Sequence, residues 1–254
     1  MANVLQLVAP EVDDTSSWNL LAKPSRSLSL VESLPAQAPD PIWRAAVEAE
    51  ERATTGCRLD DVWQDHVSGR LRAWWESVGP DRILLVARVA AGQATIGAED
   101  GNILARILCG EQQKLVASEL GIAASTVSGR YVRALDKLDL SPSTVPLPIV
   151  LAAQAWVGIR PTPTARRGFF ESQGRPCMVV SVPRPVTSRM SSLTPAEQDV
   201  AKWIIEGCSR FDIARRRKTS VHTVARQFHA IFNTQRGTGR YALVRSAVEH
   251  ECFL

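Results

Sequence analysis

Residues 193–232 read LTPAEQDVAKWIIEGCSRFDIARRRKTSVHTVARQFHAIF, and the rest of the chain is organised around them. Thr194 can cap a helix, Pro195 suits its first position, and Glu197, three residues after Thr194, completes a capping box. Val200, Ile204 and Ile205 then fall on one helical face before Gly207 stops the run. The spacing predicts two further short helices. One spans 210–217 and contains Ile213 and Ala214; the other spans 221–233, with Phe228, Ile231 and Phe232 following Val224 at helical intervals. A small residue at Ala214 and a β-branched one at Val224 suit two crossing helices in close contact, with the outer face of the second free to enter a DNA major groove.

A search for self-similarity finds the same order earlier in the chain. Residues 72–79 (RAWWESVG) match residues 167–174 (RGFFESQG), and each block runs on into an apolar strand-like stretch, Ile83 onward and Met178 onward, as a β-hairpin would. With a shift of 97 residues, 96–140 then aligns with 193–237 without gaps. Identity there is low. Apolar character is nevertheless kept at Ile96/Leu193, Ile103/Val200, Ile107/Ile204, Val116/Ile213, Val127/Val224, Tyr131/Phe228 and Leu135/Phe232, and Gly110/Gly207 and Thr126/Thr223 are retained. The expected fold is α+β, mainly α: a tandem repeat of a unit made of a β-hairpin followed by a helix-turn-helix. Three segments follow: an irregular lead-in with a short acidic helix (1–57), unit one (58–145) and unit two (146–254), joined by the Pro-rich 141–148. Helices are expected at 42–53 and 60–67, and Trp18 in the lead-in could dock on a neighbouring surface.

The pattern L-T-P-A-E, Glu206-Gly207, Ile213-Ala214 and Ser220-Val-His-Thr-Val224, closing with Gly239-Arg240-Tyr-Ala-Leu243-Val244, resembles the C-terminal DNA-binding domain of LuxR-type transcription regulators over residues 193–245. Unit one is similar at Val116-Ala117, Leu120-Gly121-Ile122, Ser125-Thr126-Val127 and Lys137-Leu138, and also resembles the fourth region of sigma factors. Unit two departs at Arg217-Lys218-Thr219, where unit one keeps Leu-Gly-Ile, and at Thr234-Gln235, where unit one keeps Lys-Leu. One unit retained for DNA beside one drifting towards packing, or two unlike half-site readers, would each produce that divergence. The resemblance implies a bacterial, cytoplasmic, sequence-specific DNA-binding regulator whose two units act as a pseudo-dimer on double-stranded DNA. The receiver or autoinducer domain common in that family has its place taken by the other unit, so neither aspartyl phosphorylation nor small-molecule sensing of the usual kind is expected. The alternative is a degenerate regulator serving as an adaptor for RNA polymerase or another regulator; a homodimer is compatible with either.

For direct contact, His222, Thr223, Arg226, Gln227 and His229 point away from the apolar stripe, and Arg and Gln carry the hydrogen-bonding geometry for guanine and adenine edges. Arg210, Arg215, Arg216, Lys218 and Arg240 suit phosphates, which position without reading sequence. Ser125, Thr126, Ser128, Arg130 and Arg133 are their counterparts in unit one. A solvated basic face is the plain alternative for both sets.

Charge agrees with the asymmetry. The net charge of +4 over 254 residues divides into −6 for 1–69, +1 for 70–140 and +9 for 141–254. Four dispersed histidines, five cysteines without a C-x-x-C pair, and the lack of phosphate-loop, dinucleotide or nucleophile-elbow motifs give no basis for a metal, a cofactor, a disulfide framework or an enzyme. The N-terminal stretch lacks the basic flank of a signal peptide, and no apolar run is long enough to cross a membrane. Trp63, Trp74, Trp75 and Trp156 suit packing better than a stacking platform for single strands, because the Trp pair recurs as Phe169-Phe170.

Overall fold

A computed structural model of the chain describes residues 41–79, 81–90, 96–141, 145–159, 164–235 and 239–250. Trp18, most of the lead-in, the centre of the Pro-rich stretch and Cys252 lie outside them. The fold is α+β and mainly helical. In chain order come α1 (Pro41–Glu51), β1 (Thr54–Cys57), α2 (Leu59–Val67), a hairpin of β2 (Leu71–Val78) and β3 (Arg82–Val89), then α3 (Ala98–Leu108), α4 (Gln113–Leu120) and α5 (Ala124–Lys137). After α6 (Leu147–Trp156) follow a second hairpin of β4 (Ala165–Ser172) and β5 (Arg175–Pro183), a 3-10 turn at Thr187–Arg189, and α7 (Pro195–Ile205), α8 (Arg210–Arg216), α9 (Val221–Thr234) and α10 (Arg240–Glu249).

Both hairpins belong to one antiparallel sheet with strand order β1-β4-β5-β3-β2. Its centre is the pairing of β3 with β5, from Arg82 opposite Pro183 to Arg88 opposite Cys177. Side chains alternate across it as a two-sided sheet requires. Ile83, Leu85 and Ala87 of β3 and Met178, Val180 and Val182 of β5 enter the main core, whereas Val86 and Val179 meet Ala46 and Ala49 of α1 on the other face. One row crosses the sheet through Trp74, Ala87, Met178 and Phe169. The end of the supposed lead-in is thus structural: α1 covers the back of the sheet and β1 extends its edge beside β4.

The stretch 141–148, expected to be a linker, becomes helical at Leu147, with Pro148 in the first turn where a missing N–H costs nothing. Every residue from Leu147 to Gln154 is buried, and α6 packs against α2, α3, α10 and the two central strands. A helix apolar on all sides has no period to betray it. Burying Leu147, Ile149, Val150 and Leu151 stabilises by roughly 1.5–3 kcal/mol each as an upper bound.

The two helical sets meet at α10. Gly110, in the turn after α3, lies so close that a Cβ built on it would stand 2.6 Å from the backbone of Ala242. The Tyr131 and Tyr241 hydroxyls are 3.4 Å apart, and the buried Gln154 donates to Leu108 O at 3.2 Å and Tyr241 O at 3.4 Å. Among the described residues, no helix is long and apolar enough to cross a membrane.

Candidate nucleic-acid interface

The helices that carry the candidate contacts are well specified locally. At α7 the capping box forms: Thr194 N donates to Glu197 Oε2 at 2.9 Å, and Glu197 N donates to Thr194 Oγ1 at 3.4 Å. Ser209 caps α8 by accepting from Asp212 N at 3.1 Å, and Ser220 caps α9 by accepting from Thr223 N at 3.0 Å. No side-chain cap bond forms at α3, α4 or α5. Ala214 and Val224 are both buried at the α8–α9 crossing, as their spacing predicted. Ala98, Gln113 and Ala124, the first residues of α3, α4 and α5, each lie 97 residues ahead of Pro195, Arg210 and Val221.

On α9 the outward face is His222, Thr223, Arg226, His229 and Asn233, all exposed. On α8 and in the turn before α9, Arg210, Arg215 and Lys218 are also exposed. Arg215 pairs with Asp212 at 2.9 Å, whereas Arg210, Lys218 and Arg226 have no ion pair among the described residues. Such a face combines donors able to reach base edges with cations able to reach phosphates.

Three of the contacts predicted in the second set sit differently. Arg240 is turned inward: its Nε donates to Ile205 O at 3.1 Å and its Nη1 to Val145 O, tying α10 to α7 and to the approach to α6. It therefore holds a joint inside the protein instead of meeting a phosphate. Gln227 is half-buried and accepts from Arg217 Nη1 at 2.8 Å, so its amide locks α9 to the preceding turn. Arg216 is partly buried with its guanidinium 4.5 Å over the ring of Trp203, a cation–π contact that commits it to α7.

In the first set, Ser125, Thr126 and Arg133 are exposed on α5 and Ser128 is half-buried. Arg130 is drawn back to α3, 2.8 Å from Glu99 and 3.7 Å from Asp100, which neutralise it. Sequence reasoning missed Asn233, Arg217 and the polar joint around Arg240. That joint includes Glu76 of β2, whose carboxylate accepts from Leu147 N at 3.1 Å, and the buried Glu206, paired with Arg184 at 2.8 Å. Burial pushes the Glu76 pKa up to about 7, with the Arg240 charge working against that rise. His66 is a core residue beside Trp63, ring centroids 5.9 Å apart, with burial pushing its pKa down to about 3. No family model matches the chain, and no curated protein or solved structure is significantly similar to it.

Proposed function

We propose that the protein is a sequence-specific DNA-binding transcription regulator, with α8 and α9 as its helix-turn-helix and α9 in the major groove. The observation that carries this reading is the α9 face of His222, Thr223, Arg226, His229 and Asn233, outward on a helix whose other side is anchored by Val224 and Ile231. Arg210, Arg215 and Lys218 supply the phosphate-directed charge.

Under the same proposal the chain comprises two related units, hairpin plus helix-turn-helix, arranged as a pseudo-dimer. Support comes from the equal offset of the helix starts and from the sheet. Sequence equates Trp74 with Phe169; their cross-strand partners, Ala87 and Met178, face each other across β3 and β5. Two copies of one hairpin related by a two-fold axis would place equivalent residues opposite one another in this way.

Measuring affinity for DNA selected from a random pool, across a salt series, tests the function. Replacing Arg210, Arg215 and Lys218 together by Ala should lower affinity uniformly over sequences and reduce the slope of log K against log salt by about 2–3. An unchanged slope, or no DNA binding at low salt, would remove the reading. Leu115 and Val132, 56% and 49% exposed on α4 and α5, favour a second reading, a protein-interaction adaptor contacting RNA polymerase or another regulator. Stable co-purification of such a partner by a chain inert towards DNA would establish it instead.

A further inference from the structure

Residues 97 positions apart on α5 and α9 can be compared one to one. The exposed stripe His222, Arg226, His229 and Asn233 on α9 corresponds to Ser125, Gly129, Val132 and Asp136 on α5, and these four are exposed as well. The α5 stripe therefore presents a hydroxyl, a bare backbone, an aliphatic group and a carboxylate. None of these gives the bidentate donor pattern that reads guanine or adenine, and the carboxylate repels phosphate.

Charge around each helix points the same way. Arg130 is held by Glu99 and Asp100, and Arg106 by Glu111 and Glu119. The exposed cations that remain on α4 and α5 are Lys114, Arg133 and Lys137, with Glu119 and Asp136 exposed on the same helices. From 98 to 138 basic and acidic side chains are equal in number, five of each, whereas 195–235 carries seven basic against four acidic. A long-range field that attracts a duplex is centred on one set only.

We infer that the chain reads base sequence through α9 alone, so that one protein molecule recognises a single element covering about half a helical turn, roughly 5 bp, and not two elements a turn apart. The proposal rests on the DNA-binding reading above and sharpens it. Its contacts are His222 and Arg226 at the start of α9, then His229 and Asn233 one and two turns later.

The test is selection from a random DNA pool with the full chain, followed by affinity measurements on the enriched sequence. Two double variants at exposed positions are compared, His222→Ala with Arg226→Ala on α9, and Ser125→Ala with Val132→Ala on α5; circular dichroism checks that both remain folded. One enriched element, a 10- to 100-fold loss for the α9 pair and a change within twofold for the α5 pair are expected. Two enriched elements about 10 bp apart, a fivefold or larger loss for the α5 pair, or an α9 pair that keeps its preference would overturn the single-reader proposal while leaving DNA binding in place. No enrichment of any sequence would overturn both.

Discussion

The helix sets α3–α5 and α7–α9 share the spacing of their helix starts and most core positions but differ in where their polar residues have gone. In α3–α5 Arg106 and Arg130 are turned onto neighbouring carboxylates and the outward stripe is neutral to acidic, while the turn glycine Gly110 is pressed against α10. In α7–α9 the helix ends are capped by Thr194, Ser209 and Ser220, and cations stand outward at Arg210, Lys218 and Arg226. The α8–α9 crossing depends on a few buried residues such as Ala214 and Val224, which leaves its surface free to change. Helices with equally spaced starts can thus present unlike surfaces.

The largest effect expected from probing this difference is at the paired turn glycines. Gly110 and Gly207 both have φ near +85° (+83° and +87°), so a side chain at either carries the same left-handed strain. A methyl at Gly110 would meet the Ala242 backbone at 2.6 Å, whereas one at Gly207 would meet the Arg240 guanidinium at a less severe 3.2 Å. Gly110→Ala should cost about 2–4 kcal/mol and Gly207→Ala about 1–2 kcal/mol in denaturant unfolding. Equal costs would show that α10 does not clamp the first set.

A middle-sized effect is expected at the joint between the two sets. With a folded pKa of about 7 against 4.5 when unfolded, Glu76 favours the fold when neutral, so its contribution is complete below pH 4.5 and is lost as the pH rises through 7. Relative to the wild type, Glu76→Gln should gain about 1–2 kcal/mol of stability on going from pH 4.5 to pH 8, because the amide removes that loss. Parallel stability curves for the two proteins would place the Glu76 carboxyl in a solvent-like setting.

The smallest effect concerns the turn between the second and third helices. Lys218 has φ +51°, a conformation that Gly121, 97 residues earlier, adopts at +65°. Lys218→Gly should stabilise the fold by up to about 1 kcal/mol while reducing the salt slope of DNA binding by about 1. Here the second set carries a strained cation where the first has a relaxed glycine. A variant that gains stability and keeps its slope would mean that Lys218 meets no phosphate.

Legibility in the sequence followed the physics of each segment. The starts of α7, α8 and α9 were readable because Thr194, Pro195 and Glu197 act on their own neighbours and the Val224, Phe228, Ile231 stripe has a helical period. The hairpins were readable from paired aromatic and apolar runs, but the joining of β3 to β5 is a contact nearly 100 residues apart with no local signal. Helix α6 was hidden by uniform burial. Arg240 misled because a basic residue at a helix start, near a pattern that resembles a DNA-binding one, suits phosphate equally well; only tertiary packing, with Glu76 and the carbonyls of Val145 and Ile205 behind it, turns it inward. Gln227 and Arg130 failed for a related reason, each finding a closer partner in an adjacent turn or helix.

The central pairing of β3 with β5 has a consequence for how the chain reaches its native state. When residues up to about 140 have been synthesised, β3 has one open edge, Gly110 and Tyr131 lack the helix they pack on, and α6 has not been made. Neither the first nor the second set of elements closes its own core. Folding should accordingly be one cooperative event spanning both, with hydrogen-exchange protection in β3, α6 and α10 tracking the global free energy while α9, packed mainly on α7 and α8, opens at lower cost. The helix assigned to DNA would then be among the first parts of the molecule to loosen and the last to be locked.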